Sequence, residues 1–100
     1  MGEEKREEVQ VVDIASLDTY HLLRFFIGIL TEKAWQHMGL RMDPRTKEVS
    51  KDFVRASVAI DCVAYLVERL GPVLDDGERR MFEALLSDLR INFVRQAGEG

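Results

Sequence analysis

Five side chains in this chain of 100 residues could in principle do chemistry: His21, His37, Asp61, Cys62 and Arg90. The two histidines are sixteen residues apart. That is too far for two metal ligands on one helix face, and no cysteine cluster accompanies them. His37 falls where a helix would end, a position that favours a cation beside exposed carbonyls. Cys62 is the only cysteine, so no disulfide can form within the chain, and no sequence signature of a nucleophile surrounds it. It reads as a small buried hydrophobe. Asp61 interrupts the apolar run "SVAIDCVAYLV" but shares a helical stripe with Ser57 and Glu68, which makes it a solvated or ion-paired position. Arg90, in "SDLRINF", borders an apolar arc, and a structural ion pair with Asp61, across helices or subunits, is the expectation. No phosphate-cradling glycine loop, nucleophile elbow or paired-carboxylate arrangement is present. The expectation is therefore no catalytic residue, no metal and no cofactor.

Basic residues form a second group. Arg41, Arg45, Lys47, Lys51 and Arg55 make a mildly basic patch, diluted by Asp43, Glu48 and Asp52, and Arg79, Arg80 and Arg95 lie further on. Arg41, Arg45 and Lys47 are the candidates for nucleic-acid contact. Against that role stand a formal net charge of −4, no interleaved aromatics and no recognition motif.

The elements that would carry these residues are helices. The spacing predicts three, in an all-α domain over 13–97 that follows an acidic, disordered tail over 1–12. Ser16 or Asp18 can cap the first helix, which runs to about Met38 and stops at Gly39. Asp43-Pro44 opens a turn in the long connection "RMDPRTKEVSKD". Ser50 can cap the second helix, which ends at Leu70 before Gly71-Pro72. Asp75 and Glu78 read as a capping box opening the third, which ends near Gln96. No strand pattern competes. The acidic N-terminus is no secretory signal, and the 22–30 run is half a membrane span with Arg24 inside it. With its lone cysteine, the chain reads as cytoplasmic.

The helices differ in how much oily surface they carry. Helix 3 places Met81, Phe82, Leu85, Leu86, Leu89 and Phe93 on one face. Helix 2 has a broad face of Phe53, Ala56, Ile60, Val63, Ala64, Val67 and Leu70, with Val58, Cys62 and Leu66 beyond it. In helix 1, seven of the ten residues of "HLLRFFIGIL" are large and apolar. Leu22, Leu23, Phe25, Phe26, Ile27, Ile29 and Leu30 cover roughly 200° of arc, more than one core can receive. Arg24, Gly28, Thr31 and Trp35 occupy the other side, where Gly28 would permit close approach of another backbone. A three-helix monomer cannot cover such a helix, so a homo-oligomer is expected, a dimer before other states. Its interface would draw on Leu22, Phe25, Phe26, Gly28, Ile29, Trp35, Cys62 and Leu66.

Four stretches in order, "AWQHMGL", "MDPRTKEV", "VAIDCVAYL" and "LLSDLRINFV", make the chain resemble the bacterial domain of unknown function family number 1844. The resemblance covers about residues 13–95. Two departures stand out: Asp75-Asp76-Gly77-Glu78 replaces a Thr-Pro-Glu-Glu start to helix 3, and Lys47 stands where the family often has glycine. The resemblance implies no activity, cofactor or catalytic residue. It implies a link to translation, since relatives are encoded beside translation genes. The expected function is a non-enzymatic scaffold or adaptor for protein–protein interaction. The alternatives are a ribosome- or RNA-associated accessory factor, and an enzyme or ligand carrier built on Asp61, Arg90 and His37.

Overall fold

A computed structural model describes residues 14–99, and the acidic tail over 1–12 lies outside the described residues. After a 3-10 turn over Ile14–Ser16 come α1 (Thr19–His37), α2 (Phe53–Leu70) and α3 (Asp76–Glu99). A second 3-10 turn over Gly71–Val73 joins α2 to α3. Among the described residues the only β-type pairing is an isolated bridge between Asp43 and Glu48. The fold is all-α.

The helix ends follow from particular side chains. Asp18 caps α1, its carboxylate accepting from the Tyr20 and His21 N–H groups at 2.9 and 3.2 Å. At the other end Gly39 takes φ +82°. Its N–H donates to Gln36 O while that of Leu40 donates to Trp35 O, the reciprocal pair that satisfies the last carbonyls. A Cβ at Gly39 would also lie 2.8 Å from Cγ of the exposed Lys51 side chain, which would have to shift, so the positive φ is the main reason for glycine there. The cap of α2 is Asp52, not Ser50: its carboxylate accepts from Arg55 N–H at 3.0 Å, and its own N–H donates to His37 O, tying the two helix ends together. Only half of the expected box opens α3. Asp75 accepts from Glu78 N–H at 2.8 Å, but the Glu78 carboxylate reaches away to Arg24 on α1. The third helix also runs three residues past Gln96.

Lys47, where the family often carries glycine, sits at φ +61°. The turn around it explains both facts. Asp43 N–H donates to Glu48 O and Lys47 N–H to Asp43 O, closing a tight loop that forces the left-handed conformation. Glycine adopts it freely, whereas lysine holds it against a steric cost.

Packing is centred on α2. It lies antiparallel to α1 along its length and receives α3 on another side, while α1 and α3 scarcely touch. The core consists of Ile27 and Ala34 from α1 with Met38 at its C-cap, Ala56, Ala59, Ile60 and Val63 from α2, and Phe82, Leu86 and Leu89 from α3, closed by Leu70 and Leu74. Phe53 and Phe93 meet edge to face at 5.7 Å where α2 begins and α3 ends. An Arg24–Glu78 ion pair at 3.0 Å bridges α1 to α3. The shape is flattened, 52 × 39 × 20 Å, with a radius of gyration of 16.3 Å against about 13 Å for a compact chain of this length. A hairpin with a third helix laid on one side leaves much of α1 uncovered.

Candidate interaction surface

The broad apolar arc of α1 divides into two. Turned through 100° per residue, Leu23, Ile27, Leu30, Thr31, Ala34 and Met38 occupy one sector and face the core. Beside them Leu22, Phe25, Phe26 and Ile29 fall within about 100° of arc and face outward. Phe25 is 62 % exposed, Phe26 42 % and Ile29 45 %, with Leu22 half-buried. The Phe25 and Phe26 rings tilt against each other with centroids 6.2 Å apart.

A matching stripe runs along α2. Val54, Val58, Cys62 and Tyr65 lie on the side opposite Ala56, Ile60 and Val63, and all four are exposed. Between the two helices lies an open groove of about 530 Å³, with Phe26, Ile29 and Leu30 as one wall and Cys62, Tyr65 and Leu66 as the other. Tyr65 also borders a second depression of about 560 Å³ with Tyr20, Leu23, Glu68 and Arg69. Asp61 passes from the groove into a third, of about 220 Å³, shared with Ser57, Arg90 and Phe93. These form one continuous surface from the start of α1 across α2 to the end of α3.

The charges sit at the margins of this surface. Arg24, the single charge between Leu22 and Ile29, turns to the far side and pairs with Glu78 through both carboxylate oxygens, at 3.0 and 3.2 Å. Asp61 and Arg90 border the same depression but form no ion pair, which corrects the expected pair within one chain. Both are exposed side chains in water, each able to remain hydrated without the other. The basic residues of the connection are largely matched by carboxylates: Arg41 with Glu32 at 2.6 Å, Arg45 with Asp43 at 3.4 Å and Arg55 with Asp52 at 2.5 Å. Hydrogen bonds from the Arg45 backbone N–H to Asp43, and from the Arg55 backbone N–H to Asp52, hold both carboxyls below the ordinary range, with the guanidinium of each arginine adding to the effect. Lys47 is exposed on its turn, and Lys51 lies over the Phe53 ring at 6.0 Å. Arg79 donates to the Gly71 and Leu74 carbonyls at the α2–α3 junction.

The structure thus brings together most of the expected interface: Leu22, Phe25, Phe26, Ile29, Cys62 and Leu66 lie on one face. Three assignments change. Cys62 is exposed in the groove, because α2 meets its neighbours through the opposite side. Trp35 is partly buried against the core and does not join the outward stripe. Thr31 is buried too, its hydroxyl donating to Ile27 O at 2.7 Å. Both errors share a cause. The core sector of α1 is centred near Ala34, on one edge of the apolar arc, and so takes in neighbours that the arc alone assigns to the polar side. Gly28 is exposed, and a Cβ there would meet nothing within 4 Å, so no backbone of the same chain approaches it. Met81, expected in the core, is 56 % exposed. It forms an outer apolar strip of α3 with Leu85 and Ile91, broken by Asp88. Sequence reasoning missed Tyr65 and Tyr20, although the spacing of Tyr65 from Val58 and Cys62 signals a shared face.

Among the described residues no group of three or more His, Cys, Asp or Glu is placed to hold a metal ion. Among the same residues no helix is long and apolar enough to cross a membrane. Compared with known proteins, the chain matches the family described as Domain of unknown function (DUF1844) over residues 21–95, three quarters of its length. No curated protein and no solved structure matches it.

Proposed function

The chain belongs to the DUF1844 family, and on the strength of its open apolar groove we propose that it is a non-enzymatic, cytoplasmic helical scaffold that self-associates through α1 and α2. The observation that carries this reading is the uncharged stripe of Phe25, Phe26 and Ile29 beside the groove they share with α2. At about 200 Å² per aromatic side chain, Phe25, Phe26 and Tyr65 alone hold roughly 300 Å² of exposed surface. Tyr20, Ile29, Val58 and Cys62 bring the face toward the roughly 800 Å² per partner of a standard stable interface. A contiguous apolar face on that scale is an interaction site. The outer strip of α3, with Met81, Leu85 and Ile91, lies on a different helix. Left free by self-association, it is the face an adaptor would offer to another protein. The pairing of Arg41, Arg45 and Arg55 with carboxylates weighs against an RNA-binding role.

The single cysteine is a built-in reporter. Self-association through the groove shields Cys62, so its rate of modification by an aromatic disulfide reagent should fall several-fold as protein concentration rises. A rate independent of concentration, and equal to that of the I29E variant, would contradict the proposal.

A further inference from the structure

Resting on that reading, we infer that the occupant of the α1–α2 groove is the Phe25 ring of a second copy of this chain, inserted reciprocally across a two-fold axis. The surface contains both parts of such a contact. The groove is walled by Phe26, Ile29 and Leu30 on α1 and by Cys62, Tyr65 and Leu66 on α2, and it is open to solvent. Phe25 stands beside it on the same stripe, is the most exposed aromatic residue described, and does not line the groove of its own chain. A two-fold interface requires a surface complementary to itself, in which residue 25 of each copy meets residue 62 of the other. A projecting ring next to an open apolar groove of about 530 Å³, ample for an aromatic ring, supplies both halves of such a contact. Two copies laid side by side, with α1 of each over the groove of the other, bury both stripes at once. The combined surface approaches the scale that a stable dimer needs, about 800 Å² on each copy. Chemistry also favours a second copy over a charged partner. Asp61 is the one charge in the groove lining, and it sits at the edge shared with the neighbouring depression, where it stays hydrated.

The test is an exchange of bulk. F25A removes the inserted ring, and C62F fills the groove that receives it. Both positions are exposed, so the helical circular dichroism should be unchanged, and C62L provides a second groove-filling variant if C62F disturbs it. Each variant alone should associate at least about thirtyfold more weakly than wild type, as loss of a buried aromatic anchor does. Mixed in equal amounts, with one carrying a mass tag, they should form a heterodimer at least about tenfold tighter than either homodimer. In that heterodimer one ring enters one open groove, and the missing ring faces the filled groove. A wild-type dimer that neither variant weakens, or a mixture that associates no better than its components, overturns the inference and leaves self-association standing. A wild-type chain that stays single at every concentration overturns both.

Discussion

Replacing Ile29 with glutamate should abolish self-association and leave the three helices intact. Ile29 is 45 % exposed at the centre of the outward stripe and forms part of the groove wall, so a carboxylate there is solvated in the single chain. On association the same carboxylate would be buried against Phe26, Tyr65 and their counterparts with no cation to pair it. An uncompensated buried charge costs about 3–5 kcal/mol, which raises the dissociation constant more than a hundredfold. Equilibrium sedimentation of I29E should therefore give the mass of one chain at concentrations where wild type is associated. I91E is the control. Ile91 is 53 % exposed on the outer strip of α3, away from the groove, and its replacement should leave the mass of the assembly unchanged. Loss of association in I91E with retention in I29E would place the interface on the wrong helix.

The second large effect is on folding. Leu89 is fully buried where α3 lies on α2, in the core with Ile60, Val63 and Leu86. Leu89→Ala removes buried methyl groups and leaves a cavity, at a cost of about 3–5 kcal/mol. Against a typical total of about 5–15 kcal/mol, that is a large share of the stability. For a domain this size each kcal/mol moves Tm by roughly 4–8 °C, so a fall of about 15 °C or more is expected. The measurement needs a fixed protein concentration, because association itself raises Tm. The site is vulnerable for a topological reason: α3 is held almost entirely by α2, with the Arg24–Glu78 pair as its main link to α1. Hydrogen exchange in L89A should accordingly rise first along α3. A fall of only a few degrees, with α3 still protected, would mean that other contacts hold that helix.

How far the sequence could be read depended on whether the signal was local. The α1 cap at Asp18 and the stop at Gly39 were legible because each rests on one residue and its immediate hydrogen bonds. The α2 cap was misplaced by two residues. Asp52 takes the role from Ser50 because its N–H is claimed by His37 O, a contact fifteen positions back along the chain that only the folded hairpin creates. The surplus of oily surface on α1 was visible from its arc, but not the rotation that divides the arc. That rotation depends on which flank α2 covers, and it decides the fates of Trp35, Thr31 and Cys62 together. Asp61 and Arg90 show the same limit: their residue types suggested an ion pair, and the structure sets them around one depression without pairing within the chain. Lys47 runs the other way. The departure from glycine was visible in the sequence, and its meaning came only with φ +61°.

The mass of the wild-type chain in solution, followed by equilibrium sedimentation over a wide range of concentration, bears most directly on whether the groove between α1 and α2 is a self-association surface. The expected result is a concentration-dependent rise from the 11.5 kDa of one chain to twice that value, lost in I29E and retained in I91E. A constant mass of one chain up to the highest concentration, with the Cys62 thiol equally reactive throughout, would contradict it.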